Sequence, residues 1–383
     1  MSIVGINASF LRKQNTGIGQ VTVNFLKKLT EFPNNKDVEF ILYLEEDVEI
    51  DLPDGFSKKV FLPIYKRDDL IRKIWWEKFL LPKKIKKDKC DVLLSLYQST
   101  TVMHPNSETR HIMVVHDIIP KLFPHYLNNW RKKLYQKFVE RAIYNVEKVI
   151  AVSHRTEKDL IAHLGIAPEK ITVSYIDVDE IYKKEISLED EKLILQKYKL
   201  EGGYIYSGGG LEVRKNVEGT LRAYKLLHQS YGNASWLPKL VISGKLMPGL
   251  APLVTDAAQL IQALNLSDHV ILLDYVPQED LPVLYKNASV FVYPSLYEGF
   301  GLPVLEAMNQ GTPVITSKTS SLPEVGVDSV LYCNPESVDD LAMVMKNILT
   351  NNHLKESLSL KGLERAKHFS WERFVTKIMH IIN

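Results

Sequence analysis

Short runs of Val, Ile and Leu recur along the chain, separated by segments of helical period. This alternation limits the possible fold more than any other feature. In the first half the runs are SIVGINAS, VEFILYL, KVFLP, DVLLSL, HIMVVHD, KVIAVS and KITVSYI. In the second they are YIYSGG, KLVISG, HVILLDYV, SVFVYPS, PVITS and SVLYC. Amphipathic stretches such as GQVTVNFLKKLTEF, WRKKLYQKFVERAIYNV, KNVEGTLRAYKLLHQSY and SVDDLAMVMKNILTN lie between them. Strands alternating with helices predict parallel sheets. Near-continuous apolar strands agree, because a parallel sheet is covered on both faces. The predicted class is α/β, with two Rossmann-like, doubly wound domains, since 383 residues exceed one hydrophobic core. The stretch DVDEIYKKEISLEDEKLILQKYKLEGG breaks the pattern with charge and places the expected boundary near residue 184. No tight internal repeat is visible, which excludes a solenoid.

Composition narrows the class of partner. Net charge is +2, so no global attraction to nucleic acid is expected. Cys90 and Cys333 are far apart and form neither a disulfide framework nor a zinc cluster, which predicts buried thiols in a reducing compartment. The start, MSIVGINASF, lacks the basic flank and apolar core of a signal peptide. No apolar run approaches the roughly 20 residues of a membrane span. A cytoplasmic protein is expected. The segment Arg72–Cys90, RKIWWEKFLLPKKIKKDKC, is locally basic and carries Trp75 and Trp76. It reads either as an amphipathic helix lying on an anionic membrane, or as a helix with Trp76, Phe79 and Leu80 in the core and its lysines solvated.

In doubly wound sheets, ligands bind outside the carboxyl ends of strands. SVFVYPSLYEGFGLPVLEAMNQGTPVITS reads as strand, loop, helix, turn and strand. Pro303 suits the first helical turn, and Gly311 with Pro313 suits its end. Gly299 and Gly301 strip side chains from the loop. Its free N–H groups and the helix N-terminus then form a seat for an anion or for sugar hydroxyls. Glu306, on that helix, is placed to accept two hydrogen bonds from a ribose diol, and Glu298 stands on the other side of the seat. The plainer alternative is a solvated loop acid at Glu298 and a helix-dipole partner at Glu306. Arg214 and Lys215, after the glycine-rich strand end YSGGG, form a pair of cations able to clamp a diphosphate.

The segment from Glu298 to Glu306 resembles the E-x7-E element of retaining GT-B glycosyltransferases of family 4. The resemblance extends over nearly the whole chain. It implies two Rossmann-like domains facing across a cleft: an acceptor domain, 1–184, joined by the C-terminal helix at about 370–383, and a nucleotide-sugar donor domain, 185–369. In NTGIGQVTVNF it implies that Gly17 and Gly19 approach the donor phosphates and the acceptor. In HIMVVHDIIP it implies that His116, paired with Asp117, lies near the donor sugar's hydroxyls. In VISGKLMPG it places the nucleotide base near Gly244. Gly299, Phe300, Gly301, Leu302 and Glu306 are the implied donor contacts. Glu324, in SSLPEVGVD, is expected to be structural.

Two departures stand out. Gly209 stands where the family commonly carries an arginine, and the cations arrive instead as Arg214-Lys215-Asn216, a form familiar in bacterial surface-polysaccharide mannosyltransferases. Ile176-Asp177-Val178-Asp179 replaces a common Asn-Gly-Val-Asp tetrad. Its D-x-D spacing resembles a metal motif of a different fold, but cations at the diphosphate leave no metal required. The implied activity is hexosyl transfer, with mannose first, from a nucleotide diphosphate sugar to a glycan or lipid-linked hydroxyl. GDP-mannose is the expected donor, ahead of UDP- and dTDP-sugars, and no other cofactor is expected. In that reaction Arg214 and Lys215 stabilise the leaving diphosphate, and Glu298 and His116 position the donor sugar. A nucleotide-sugar 2-epimerase, a pyridoxal-phosphate phosphorylase and a non-catalytic nucleotide-sugar binder are the alternatives. A glycoside hydrolase fits poorly, because its two carboxylates must flank the bond.

Overall fold

The computed structural model describes residues 2–32, 38–63, 68–104, 107–231, 234 and 236–383. The chain divides into two compact units, Met1–Ile176 with Ser370–Asn383, and Asp177–Phe369. In the first, β1 (Ser2–Asn7), β2 (Val38–Leu44), β3 (Phe56–Val60), β4 (Val92–Ser95), β5 (Arg110–Val115), β6 (Lys148–Ala151) and β7 (Ile171–Val173) form one sheet in the order β3-β2-β1-β4-β5-β6-β7. In the second, β8 (Tyr204–Ser207), β9 (Leu240–Ser243), β10 (Val270–Leu273), β11 (Ala288–Tyr293), β12 (Val314–Ser317) and β13 (Leu331–Cys333) run in the order β10-β9-β8-β11-β12-β13. Every pairing is parallel. Strand order reverses between β1 and β4 and between β8 and β11. A crevice is expected at the carboxyl ends of those pairs.

Each predicted apolar run forms a strand. The third starts earlier than KVFLP suggested, at Phe56, because β3 is an edge strand. Its sequence FSKKV leaves Lys58 and Val60 exposed, and edge lysines discourage pairing with another chain. The C-terminal helix Trp371–Ile382 buries Trp371, Phe374, Val375 and Ile378 in the first unit. There Phe374 meets Phe25 edge-on at 6.0 Å. Its last turn is tied to β5, whose Arg110 donates to the carbonyls of Ile381 and Ile382 at 2.8 Å each, so carbonyls left open by the helix end are satisfied.

The division between units falls after Ile176 rather than near 184. Residues just past Ile176 are bound into the second unit. Tyr182 is fully buried, packs edge-on to Tyr285 at 6.1 Å, and its carbonyl accepts from Gln310 at 2.7 Å. Further along, Lys197 and Tyr198 both donate to Asp280, at 2.6 and 2.5 Å. Charge in this stretch therefore marks a docked strap, not the point where contacts cease.

The basic segment forms helix Asp69–Trp75, a π-helical turn Trp76–Leu80 and helix Leu81–Lys87. Its two tryptophans have opposite fates. Trp76 is fully buried, stacks on Phe61 at 5.2 Å and donates its indole N–H to the Phe61 carbonyl at 2.8 Å. Trp75 is 47% exposed, and so, against the core reading, is Phe79 at 49%. Replacing Trp76 with Ala should destabilise the first unit by about 3–5 kcal/mol, whereas Trp75→Ala should stay within about 0.5 kcal/mol of the parent. Urea unfolding of both variants checks this, and equal midpoints would contradict the assignment.

Candidate functional site

The second unit gathers its charges at the β8/β11 reversal. A 3-10 turn, Val213–Lys215, follows the glycine-rich end of β8. Asn216 ends the turn in the left-handed region at φ 58, a conformation asparagine tolerates better than most residues. Its amide donates to the carbonyls of Pro294 and Pro335, and its side-chain oxygen accepts from the Gly219 N–H at 3.1 Å. The Arg214 carbonyl accepts from Leu296 N–H at 2.7 Å, and the Ser295 hydroxyl lies 2.9 Å from it. These bonds fix the cations against the loop that leaves β11.

Both cations converge on one carboxylate oxygen. Glu298 Oε1 lies 2.8 Å from Lys215 Nζ and 2.8 Å from Arg214 Nη1. It also accepts from the Tyr293 hydroxyl at 2.8 Å and from Ser295 at 2.7 Å. Lys215 donates to Tyr293 as well. Lys215 and Glu298 are both buried. Burial raises the Glu298 pKa. The Lys215 and Arg214 charges, with hydrogen bonds from Lys215 and Ser295, outweigh that and hold it at about 2. Burial pushes the Lys215 ammonium down, and the Glu298 charge opposes it. Glu298 is thus neither a solvated loop acid nor an unpaired one.

At Gly209 φ is 94, and a Cβ there would stand 3.0 Å from Pro303 and 3.1 Å from Tyr293; the guanidinium comes from position 214 instead. Gly301 precedes helix Leu302–Asn309 at φ 125, where a Cβ would meet Leu322 at 2.8 Å. Gly299 lies in the same loop. Phe300 is buried, edge-on to Phe369 at 5.7 Å, so its backbone rather than its ring is the part a ligand can use. Leu302 starts the helix, with Pro303 in its first turn as expected. Gly244 lies beyond β9, where a Cβ would meet Leu211 at 2.8 Å.

Glu306 is buried on that helix, and its Oε2 accepts from Tyr285 at 2.8 Å. Burial raises its pKa to about 7, against hydrogen bonding from Tyr285. It is therefore a buried acid whose charged form burial disfavours, rather than a solvated partner of the helix dipole.

In the first unit, His116 follows β5 and is buried. Its Nε2 is 2.9 Å from the Leu96 carbonyl, which can only accept, so that nitrogen carries the proton and Nδ1 is left as an acceptor. Burial lowers its pKa to about 4 despite the Leu96 bond, so the ring is neutral near pH 7. Gly17 opens helix Gly17–Thr30 with nothing within 4 Å of a Cβ position, whereas a Cβ on Gly19 would strike the Lys13 carbonyl oxygen at 2.0 Å. Gly17 is open to approach, and Gly19 is required by packing. Arg214, Lys215, Glu298, Gly299, Gly301 and Glu306 share the second unit; His116, Gly17 and Gly19 belong to the first.

Asp177 is paired with Lys183, and Asp179 caps the turn Glu180–Tyr182 by accepting from Ile181 N–H at 3.0 Å. Their carboxylates are engaged in local structure. Among the described residues, no group of three or more His, Cys, Asp or Glu side chains is placed to hold a metal ion. No helix among them is long and apolar enough to cross a membrane. Cys90 and Cys333 are buried free thiols.

Two parallel-sheet units, with a buried cation–carboxylate cluster at the second sheet's reversal, define a GT-B glycosyltransferase. Residues 16–179 match the family described as Glycosyltransferase Family 4, and residues 190–365 that described as Glycosyl transferases group 1. The chain is 32% identical over 286 residues to O-antigen chain mannosyltransferase B of Escherichia coli, spanning 74% of this chain and 73% of that protein. It is 26% identical over 358 residues to O-antigen chain mannosyltransferase RfbU of Salmonella typhimurium, spanning 90% of each. Its fold matches the crystal structure of WaaG, a glycosyltransferase involved in lipopolysaccharide biosynthesis, with a TM-score of 0.74 at 16% identity over all of both chains. The chain belongs to the family 4 glycosyltransferases and is a hexosyltransferase.

Tyr293 and Ser295, which hold Glu298, belong to no recognisable sequence motif. Their only signal is position, at the carboxyl end of an apolar run and two residues beyond it. The raised pKa of Glu306 gives a signed expectation. A carboxyl with a folded pKa above its unfolded value of 4.5 contributes fully below 4.5, and that contribution is lost as pH rises through about 7. Glu306→Gln removes the loss. Relative to wild type, its melting temperature should rise between about pH 5 and about pH 8 in calorimetry. A difference independent of pH would contradict the assignment.

Proposed function

We propose that this glycosyltransferase moves mannose from GDP-mannose to a hydroxyl of a growing surface glycan or its lipid-linked precursor, with retention at the anomeric carbon. The mannosyltransferase names of both relatives support the sugar. The observation that carries the reading is the pair of cations ending on Glu298 Oε1.

The acceptor oxygen bonds to the anomeric carbon as the bond from that carbon to the diphosphate oxygen breaks. Negative charge grows on the diphosphate and positive charge on the sugar ring. The acceptor proton passes to a donor phosphate oxygen on the same face. Arg214 and Lys215 stabilise the departing charge, together with N–H groups of the Gly299–Leu302 loop. Glu298, ionised above about pH 2, restrains both cations and takes a hydroxyl of the sugar. Neutral His116 accepts from another hydroxyl through Nδ1. Glu306 holds the ribose.

Docking to an anionic membrane belongs to the same proposal. Trp75, Phe79 and Trp130 are 47%, 49% and 68% exposed, and Lys83, Lys84, Lys86 and Lys87 follow the first two in sequence. Tryptophans beside lysines suit a headgroup boundary. In flotation with phosphatidylglycerol vesicles the parent should rise with the lipid, and a Trp75→Ser, Phe79→Ser, Trp130→Ser variant should remain in the pellet fraction. A parent that does not float removes membrane docking.

For the transfer itself, Lys215→Ala should lower turnover of GDP-mannose by on the order of a hundredfold, the scale set by losing one preorganised charge stabiliser. GDP should raise the wild-type melting temperature more than UDP or dTDP, since a ligand that binds only the folded state stabilises it. Full activity in the variant removes the clamp, and a larger shift with UDP reassigns the donor.

A further inference from the structure

The loop that carries Gly299 and Gly301 is held along one side by hydroxyl groups. They belong to the segment SKTSS, which begins at Ser317, the last residue of β12. Ser317 donates to the Ser295 carbonyl. The Thr319 hydroxyl lies 3.3 Å from the Leu296 carbonyl. The Ser320 hydroxyl oxygen accepts from the Glu298 N–H at 3.0 Å. The Ser321 hydroxyl lies 3.0 Å from the Glu298 carbonyl and 2.5 Å from the Phe300 carbonyl. The segment thus follows the loop backbone in register from 295 to 300.

Ser321 departs from what its position would ordinarily ask of it. It is fully buried and stands directly before the short helix Leu322–Gly326. A serine there usually turns its oxygen onto the open N–H groups of the helix. Ser321 makes no such cap bond. Its one hydroxyl proton is shared between two loop carbonyls instead. Ser320 beside it has a φ of 56, a region that few residues other than glycine enter. Backbone held in such regions clusters at ligand clamps.

Peptide geometry turns these bonds into aim. A trans peptide sends its C=O and its N–H in opposite directions. The Glu298 carbonyl shares a peptide with the Gly299 N–H, and the Phe300 carbonyl shares one with the Gly301 N–H. With both carbonyls on Ser321, both N–H groups point away from it. The peptide between Tyr297 and Glu298 shows what lies on that side. Its N–H turns to Ser320, and its carbonyl, pointing the other way, accepts from Arg214 at 3.1 Å. The two glycine N–H groups therefore face the side of the loop where Arg214 stands.

We propose that Ser321 is a positioning residue, whose single hydroxyl aims the N–H groups of Gly299 and Gly301 at the donor phosphate that leaves the sugar. The proposal rests on the transfer reading above. Arg214 and Lys215 supply charge to that phosphate, and the two amides supply direction. Donors of this kind act most strongly when they are fixed before the charge develops. Without the Ser321 hydroxyl both peptides are free to turn, and the amides lose their common target.

Titration calorimetry on the full chain tests this with GDP against GMP, and with UDP against UMP in parallel. The wild type should hold a diphosphate more tightly than its monophosphate, which lacks the leaving phosphate. In Ser321→Ala and Ser321→Cys the dissociation constant of that diphosphate should rise by about tenfold, as preorganised donors lose their aim. The monophosphate's constant should change by less than about twofold, the scale for a site that does not share the interaction. The cysteine variant keeps the side-chain volume but donates weakly, so it carries the test if the cavity left by alanine prevents folding; melting temperature checks both. Equal weakening of diphosphate and monophosphate, or an unchanged preference for diphosphate in a folded variant, would overturn the positioning role alone. A wild type that prefers neither diphosphate to its monophosphate would overturn the diphosphate seat of the transfer reading, and this role with it.

Discussion

A single oxygen, Glu298 Oε1, receives a lysine, an arginine, a phenol and a serine hydroxyl in a buried setting. The second unit depends on this arrangement. Buried charge is tolerated only when paired and hydrogen-bonded, so Lys215 needs an anion whenever the diphosphate is absent. Glu298 supplies it. The same pairing keeps both cations aimed at one point, which is what stabilising a leaving diphosphate requires. In the proposed reaction the donor does not have to recruit the cations; it shares them with a carboxylate already in place.

The backbone around the cluster is shaped to permit it. Gly209 brings β8 against Tyr293 and Pro303 without a side chain. Asn216 takes the left-handed turn that swings Lys215 under the β11 loop. Arg214 is held through its own carbonyl as well as through its guanidinium. Strand order does the rest, since a crevice opens where neighbouring connections leave in opposite directions. The same rule places His116 at the carboxyl end of β5 in the first sheet.

Much of this is legible in the sequence, for a physical reason. Strands buried on both faces must be continuously apolar, so the inner strands among the described residues read as runs, while the edge strand β3, with Lys58 and Val60 exposed, is displaced from its run. Gly301, Pro303 and Gly311 carry backbone requirements that few other residues meet, so the loop–helix unit was legible as well. Partners drawn from distant positions were not. Glu77 reads as an ordinary member of a basic helix, because helical period says which face is shared but not that the π-turn Trp76–Leu80 buries it. Glu306 reads from sequence as a diol ligand, but its burial beside Tyr285 does not, because that tyrosine comes from another element. The charged stretch after Ile176 read as a linker, because charge alone does not reveal that Tyr182 anchors it.

The central claim is that the Glu298-bound cations are the diphosphate seat. A crystal structure with GDP tests it most directly. The account predicts both phosphates within hydrogen-bond reach of Lys215 Nζ and the Arg214 guanidinium, with the ribose at Glu306. Nucleotide bound elsewhere, with the cations still closed on Glu298 and no phosphate beside them, would contradict it.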